Sequence, residues 1–91
     1  MDKVYRIYTE DVDRNAVIRM VAKQFESFTV HETVGYYRGK AEDSIVIEIV
    51  DAKAAPVRAL AKKIRLLTGQ NSVLVINLSG QAKKIQTKHE S

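Results

Sequence analysis

The alternation of apolar and polar positions marks out four strands and two helices along the chain. The most strand-like run is Ser44-Ile45-Val46-Ile47-Glu48-Ile49-Val50-Asp51, β-branched at almost every place and broken only by Glu48. A run that is apolar on both faces suits a central strand, covered from two sides. Lys3 to Thr9 predicts the first strand, with Tyr5 and Ile7 on one face and Val4, Arg6 and Tyr8 on the other. From Arg14 to Glu26 the apolar positions Val17, Met20, Val21 and Phe25 recur at helical spacing, with Gln24 in the same stripe. Asp13 is placed to cap that helix, because a carboxylate there can accept its unpaired N–H groups. Phe28 to Arg38 reads as a second strand, and Gly39-Lys40-Ala41-Glu42-Asp43 as the hairpin connection into the central run. Ala54-Ala55-Pro56 opens a second helix, whose stripe is Val57, Leu60, Ala61, Ile64 and Leu67 and whose left-handed C-terminal residue is Gly69. Asn71 to Leu78 is the last strand.

The order β-α-β-β-α-β, with one apolar stripe per helix, predicts an α+β fold of ferredoxin-like type. Its four-stranded antiparallel sheet would carry both helices on one face. Strands one and three become central neighbours, with four beside one and two beside three. Residues 1–78 then form a single domain and residues 79–91 a basic tail. In this arrangement Tyr5, Ile7, Val30, Val34, Ile45, Ile47, Ile49, Leu74 and Ile76 meet the helices. The open face receives Val4, Arg6, Tyr8, His31, Thr33, Tyr37, Val46, Glu48, Val50, Val73, Val75 and Asn77. Five valines gathered on one face predict a covered surface, under a second subunit, the tail or a ligand.

Composition narrows the classes. A chain of 91 residues is one small domain of modest core, for which oligomerisation adds stability. It has no cysteine, which excludes disulfides and thiolate metal sites. It shows no signal peptide and no apolar run near the length of a membrane span, so the expectation is a cytoplasmic protein that does not engage the membrane. The net charge of +4 is uneven: residues 1–51 hold seven basic and ten acidic side chains, residues 52–91 eight basic and one acidic. Such asymmetry fits either a solvated basic helix with a basic tail or a surface for an anionic partner.

Candidate chemistry falls in three places. Arg6 and Glu48 lie on one face of adjacent strands, as a cross-strand ion pair or as polar contacts for a ligand. Tyr8, His31 and Tyr37 share that face, and His31 is the histidine within the folded region, His89 lying in the tail. Gly35-Tyr36-Tyr37-Arg38-Gly39-Lys40 sets rings beside cations, a combination that can stack on bases and neutralise phosphate, or simply a hairpin with packed tyrosines. An RNA-recognition motif would carry aromatic residues on its third strand. Here that strand reads Ile45-Val46-Ile47-Glu48-Ile49, which argues against that mode. Arg58, Lys62, Lys63 and Arg65 make the second helix basic, and with Lys83, Lys84 and Lys88 they could contact several phosphates. No acid–base pair, nucleophile motif, phosphate loop or metal-ligand spacing occurs, so no catalytic residue, metal or cofactor is expected.

The segments Tyr5-Arg6-Ile7-Tyr8-Thr9-Glu10-Asp11, Gly35 to Ser44 and Gly69-Gln70-Asn71-Ser72-Val73-Leu74-Val75 resemble those of a group of small, largely uncharacterised proteins found in bacteria and on their phages and mobile elements. The resemblance brings no catalytic residue. It implies an origin in phage–host conflict, where chains of this size act by binding or sequestering. The expectation is a non-enzymatic, homo-oligomeric binding module that captures a nucleotide or nucleic acid. Contacts are expected from Arg6, Tyr8, His31, Tyr37, Arg38, Lys40 and Glu48, or from Arg58, Lys62, Lys63 and Arg65. The alternative is a protein-interaction or inhibitor module that acts through the open sheet face or the basic helix.

Overall fold

The computed structural model describes residues 3–78. The elements are β1 (Val4–Glu10), α1 (Arg14–Gln24), β2 (Thr29–Tyr37), β3 (Lys40–Val50), α2 (Ala54–Thr68) and β4 (Leu74–Asn77). They form the expected α+β architecture, a single antiparallel sheet of order β2-β3-β1-β4. The predicted tail, with Lys83, Lys84, Lys88 and His89, lies outside the described residues. Among the described residues no helix is long and apolar enough to cross a membrane.

The core follows from the periodicities. Ile7 of β1, Ile45, Ile47 and Ile49 of β3, Val17 and Val21 of α1, and Val57, Leu60 and Ile64 of α2 are fully buried. Met20, Phe25, Phe28 and Val30 pack against this cluster, whereas Gln24 is exposed and drops out of the helix stripe. Pro56 sits in the first turn of α2, where no N–H is required, and Gly69 ends the helix at φ 72. Asp13 does occupy the position before α1, but at φ 50 and without a side-chain cap bond. The acid that engages this turn is Asp11, which pairs with Arg14.

The β2–β3 connection is shorter than the sequence suggests. Only Arg38 and Gly39 turn, at φ 51 and φ 79, and the pairing runs without interruption from Tyr37↔Lys40 to Thr29↔Glu48. Positive φ at both central positions is the two-residue turn that matches strand twist. Lys40 to Asp43 therefore belong to β3. They read as a loop because this arm reaches past the helices and has no core face to cover. Val34, expected beneath the helices, is 56% exposed for the same reason.

β4 faces the opposite way from expectation. Its register sets Leu74 opposite Tyr8, Val75 opposite Ile7 and Ile76 opposite Arg6. Val73 and Val75 consequently pack on the core, while Leu74 is 57% exposed on the open face. A one-residue slip reverses every side chain of a strand. Of the five valines assigned to the open face, Val73 and Val75 turn inward, Val4 and Val46 are nearly buried, and Val50 is exposed. The expected valine surface is thus absent, and Leu74, Val50 and the half-buried Ile76 stand in its place.

Candidate functional site

The open sheet face brings together part of the expected site. Arg6 and Glu48 are cross-strand partners, with Arg6 Nε 3.6 Å from Glu48 Oε1. That nitrogen is shielded from solvent and makes no hydrogen bond. His31 Nε2 lies 3.1 Å from the same carboxylate oxygen and donates to it in the tautomer protonated at Nε2. Glu48 is therefore shared between a guanidinium and an imidazole. Arg6, Tyr8, His31, Glu32, Thr33 and Val46 line a shallow depression of about 370 Å³ beside them. The ion-pair reading of Arg6 and Glu48 holds geometrically, although Arg6 Nε keeps no hydrogen bond.

Tyr37, Arg38 and Lys40 stand apart from this cluster. Tyr37 pairs with Lys40 at the turn, six positions along β2 from His31, which at strand rise is about 20 Å. The Arg38 guanidinium carbon stacks over the Tyr37 ring at 5.2 Å from its centroid, a cation–π contact worth little where exposed. Tyr36 and Tyr37 are both exposed. The seven residues expected at one ligand site thus divide between the sheet face and the tip of the arm.

The helical layer carries charge of one sign. α1 and α2 together carry seven lysines and arginines and no Asp or Glu, while the remaining described residues carry five basic and nine acidic side chains. Arg14 is held by Asp11 and Glu32. The other six, Arg19, Lys23, Arg58, Lys62, Lys63 and Arg65, have no ion-pair partner among the described residues. Where the helices meet, Arg19 and Lys23 of α1 and Lys63 of α2 line a groove of about 590 Å³ with Ala16, Met20, Gln24 and Leu67. Cations at its rim over apolar Met20 and Leu67 suit a ligand with anionic and flat apolar parts. Lys63 was legible in the sequence as one of a basic run. Arg19 and Lys23 are not among the expected site residues, and their four-residue spacing on α1 without an intervening acid is the sequence signal for them.

Two further contacts shape the edges of the fold. Arg14 bonds both Asp11 and Glu32, with its Nε 3.0 Å from Asp11 Oδ1. The Arg14 hydrogen bond holds the Asp11 carboxyl below its ordinary value of 3.8, against a smaller opposing effect of burial. Gln70 reaches from the end of α2 to β1. Its Oε1 accepts from the Glu10 N–H at 3.1 Å, and its Nε2 donates to Thr9 Oγ1 and Thr68 Oγ1, each at 2.6 Å. The side-chain amide thereby serves the edge of β1 where β4 is no longer alongside. Among the described residues no group of three or more His, Cys, Asp or Glu could hold a metal ion.

No family model matches the chain, and no curated protein matches it significantly. Among solved structures it is similar to the crystal structure of a DUF3240 family protein from Shewanella baltica OS155. The TM-score is 0.64 at 14% sequence identity, over 84% of this chain and 86% of that one. A likeness at this identity speaks for the fold alone.

Proposed function

We propose that the protein is a non-enzymatic, self-associating binding module that captures a polyanion, with nucleic acid as the class of partner, on its helical layer. The observation that carries this reading is the absence of any acid from two helices bearing seven cations, three of which share the groove between them. Arg19 with Lys23, Arg58 with Lys62, and Lys62 with Arg65 are like charges at helical neighbour spacing. Each such pair disfavours its helix by about 0.2–0.5 kcal/mol. A phosphate backbone laid along the layer would remove that repulsion and release counterions. The extended spread of charge favours a polymer over a mononucleotide, whose few phosphates could engage only the groove. Arg58, Lys62 and Arg65 serve here as contacts outside the groove, and Lys63, Arg19 and Lys23 within it. Sequestration in phage–host conflict is the setting that the sequence resemblance suggests for such a module.

The test is a salt titration of binding to labelled duplex DNA and to RNA. Each phosphate contact contributes about 0.9 to the logarithmic salt slope on duplex DNA. Lys23→Glu with Lys63→Glu should therefore flatten the slope by about 1.8, with the circular dichroism unchanged. An unaltered slope and affinity in that double variant would remove the groove from the reading. The second reading, a protein-interaction module, is favoured by one observation, the exposure of Leu74 and Val50 on the open face. Salt-independent capture of a protein, lost in Leu74→Asp, would support it instead.

A further inference from the structure

β2 is an edge strand with few of the usual protections, its one acid being Glu32, which Arg14 holds. It lies at one end of the sheet order, runs nine residues from Thr29 to Tyr37, and pairs with β3 at every position without a bulge. The opposite edge, β4, has only four residues. Exposed edges in monomers are shortened, bulged, or carry lysine or proline. β2 contains no lysine, arginine or proline. Neither helix comes within 8 Å of it, Cα to Cα, although the Arg14 side chain reaches Glu32, so among the described residues no helix backbone covers the edge.

The direction of its backbone groups can be read from the ladder. The Asp11 N–H donates to the Asp43 carbonyl, so odd-numbered residues of β3 bond toward β1 and even-numbered ones toward β2. Their partners on β2 are the odd-numbered residues Thr29 to Tyr37. Alternation then sends the N–H and C=O of Val30, Glu32, Val34 and Tyr36 outward.

We propose that this edge pairs with the same edge of a second copy, antiparallel about a two-fold axis at Thr33, to give a continuous eight-stranded sheet. The strand is its own complement in that register. Val30 meets Tyr36 of the second copy and Thr29 meets Tyr37, β-branched against aromatic, which are favoured cross-strand pairs. Glu32 meets Val34 and not its own copy, so no carboxylates collide. The even-numbered pairs exchange about eight backbone hydrogen bonds. The two tyrosines, 75% and 61% exposed in the single chain, gain neighbours. Because facing residues share parity, the two helical layers emerge on the same side of the joined sheet. This pairing names the surface for the self-association proposed above and is independent of the polyanion reading.

The chain has no cysteine, which allows a direct test. Thr33→Cys puts two thiols at a non-hydrogen-bonded pair on the axis, at Cα separations near 4.5 Å that a disulfide tolerates. Mild oxidation should yield a disulfide-linked dimer as the main product, while Ala59→Cys on the outer side of α2 should not. In analytical ultracentrifugation the wild type should show a reversible dimer. Val34→Pro deletes an outward N–H in each copy without touching the β3 ladder, and should raise the dimer dissociation constant about ten- to a hundredfold. A wild type that stays monomeric at millimolar concentration would overturn the pairing and the self-association together. A dimer insensitive to Val34→Pro and uncrosslinked through Thr33→Cys would overturn the pairing alone. Loss of nucleic-acid binding in the helix variant should leave the cross-link unaffected.

Discussion

Replacing Gln70 with alanine tests whether a side chain can substitute for a missing strand. Its amide ties Thr9, Glu10 and Thr68 together across 60 residues of chain. The Glu10 N–H is exposed and can turn to water, so its loss costs about 0.5 kcal/mol. Thr68 keeps its own bond to the Ile64 carbonyl and loses little. Thr9 is only 4% exposed, and its hydroxyl loses the donor that satisfies it, apart from a long contact to the Glu10 carbonyl. A buried group stranded in this way costs about 1–3 kcal/mol. The sum for Gln70→Ala is about 2 kcal/mol, which for a domain of this size lowers the melting temperature by about 8–16 °C. Urea unfolding and calorimetry measure both. Thr9→Val removes the stranded hydroxyl, so in the double variant the loss should be smaller than the sum of the two by about 1 kcal/mol. If Gln70→Ala costs under about 0.5 kcal/mol the clasp contributes nothing, and if the two changes simply add, the Thr9 bond is not its source; either result refutes the reasoning.

Two further outcomes follow from the fold. Val75→Asp should cost several kcal/mol, because an unpaired carboxylate would face Ile7 and the core, while Leu74→Asp should stay within about 0.5 kcal/mol in urea unfolding. The reverse order would mean that β4 faces the other way. Asp11 has its pKa lowered in the folded state by Arg14, so its contribution to stability is present above its ordinary value of 3.8 and is lost as the pH falls through the lower folded value. The stability gap between wild type and Asp11→Asn should therefore close as the pH falls through and below 3.8, and a gap that stays constant there would exclude the Arg14 contact as its source.

The sequence carried the element order, the sheet order and most of the core, because Ile45, Ile47, Ile49, Leu60 and Ile64 sit on strong periods that only one layering can bury. It did not carry the facing of β4. Val73, Leu74, Val75 and Ile76 are all apolar, so alternation offers no preference, and the choice is made by pairing with β1 and by the Leu78 N–H bond to the Val4 carbonyl. The turn was blurred because Arg38 adopts a positive φ that an arginine does not advertise. The sheet-face trio of Arg6, Glu48 and His31 was legible from strand parity, since only face and neighbour had to be right. The groove was not, because the approach of Lys63 to Arg19 and Lys23 depends on how α1 crosses α2. The Gln70 clasp joins residues too distant in sequence for any local pattern to announce.

The division of the described chain into a helical layer without acids and a remainder with nine of them has a kinetic consequence. If the partner is the polyanion proposed above, its field attracts the seven cations of the helices before contact. Such steering raises encounter rates by 10- to 1,000-fold and fades as ionic strength rises. How long the partner then stays is set separately by the short-range contacts. Capture would thus be quick to begin even where each individual phosphate is held only loosely.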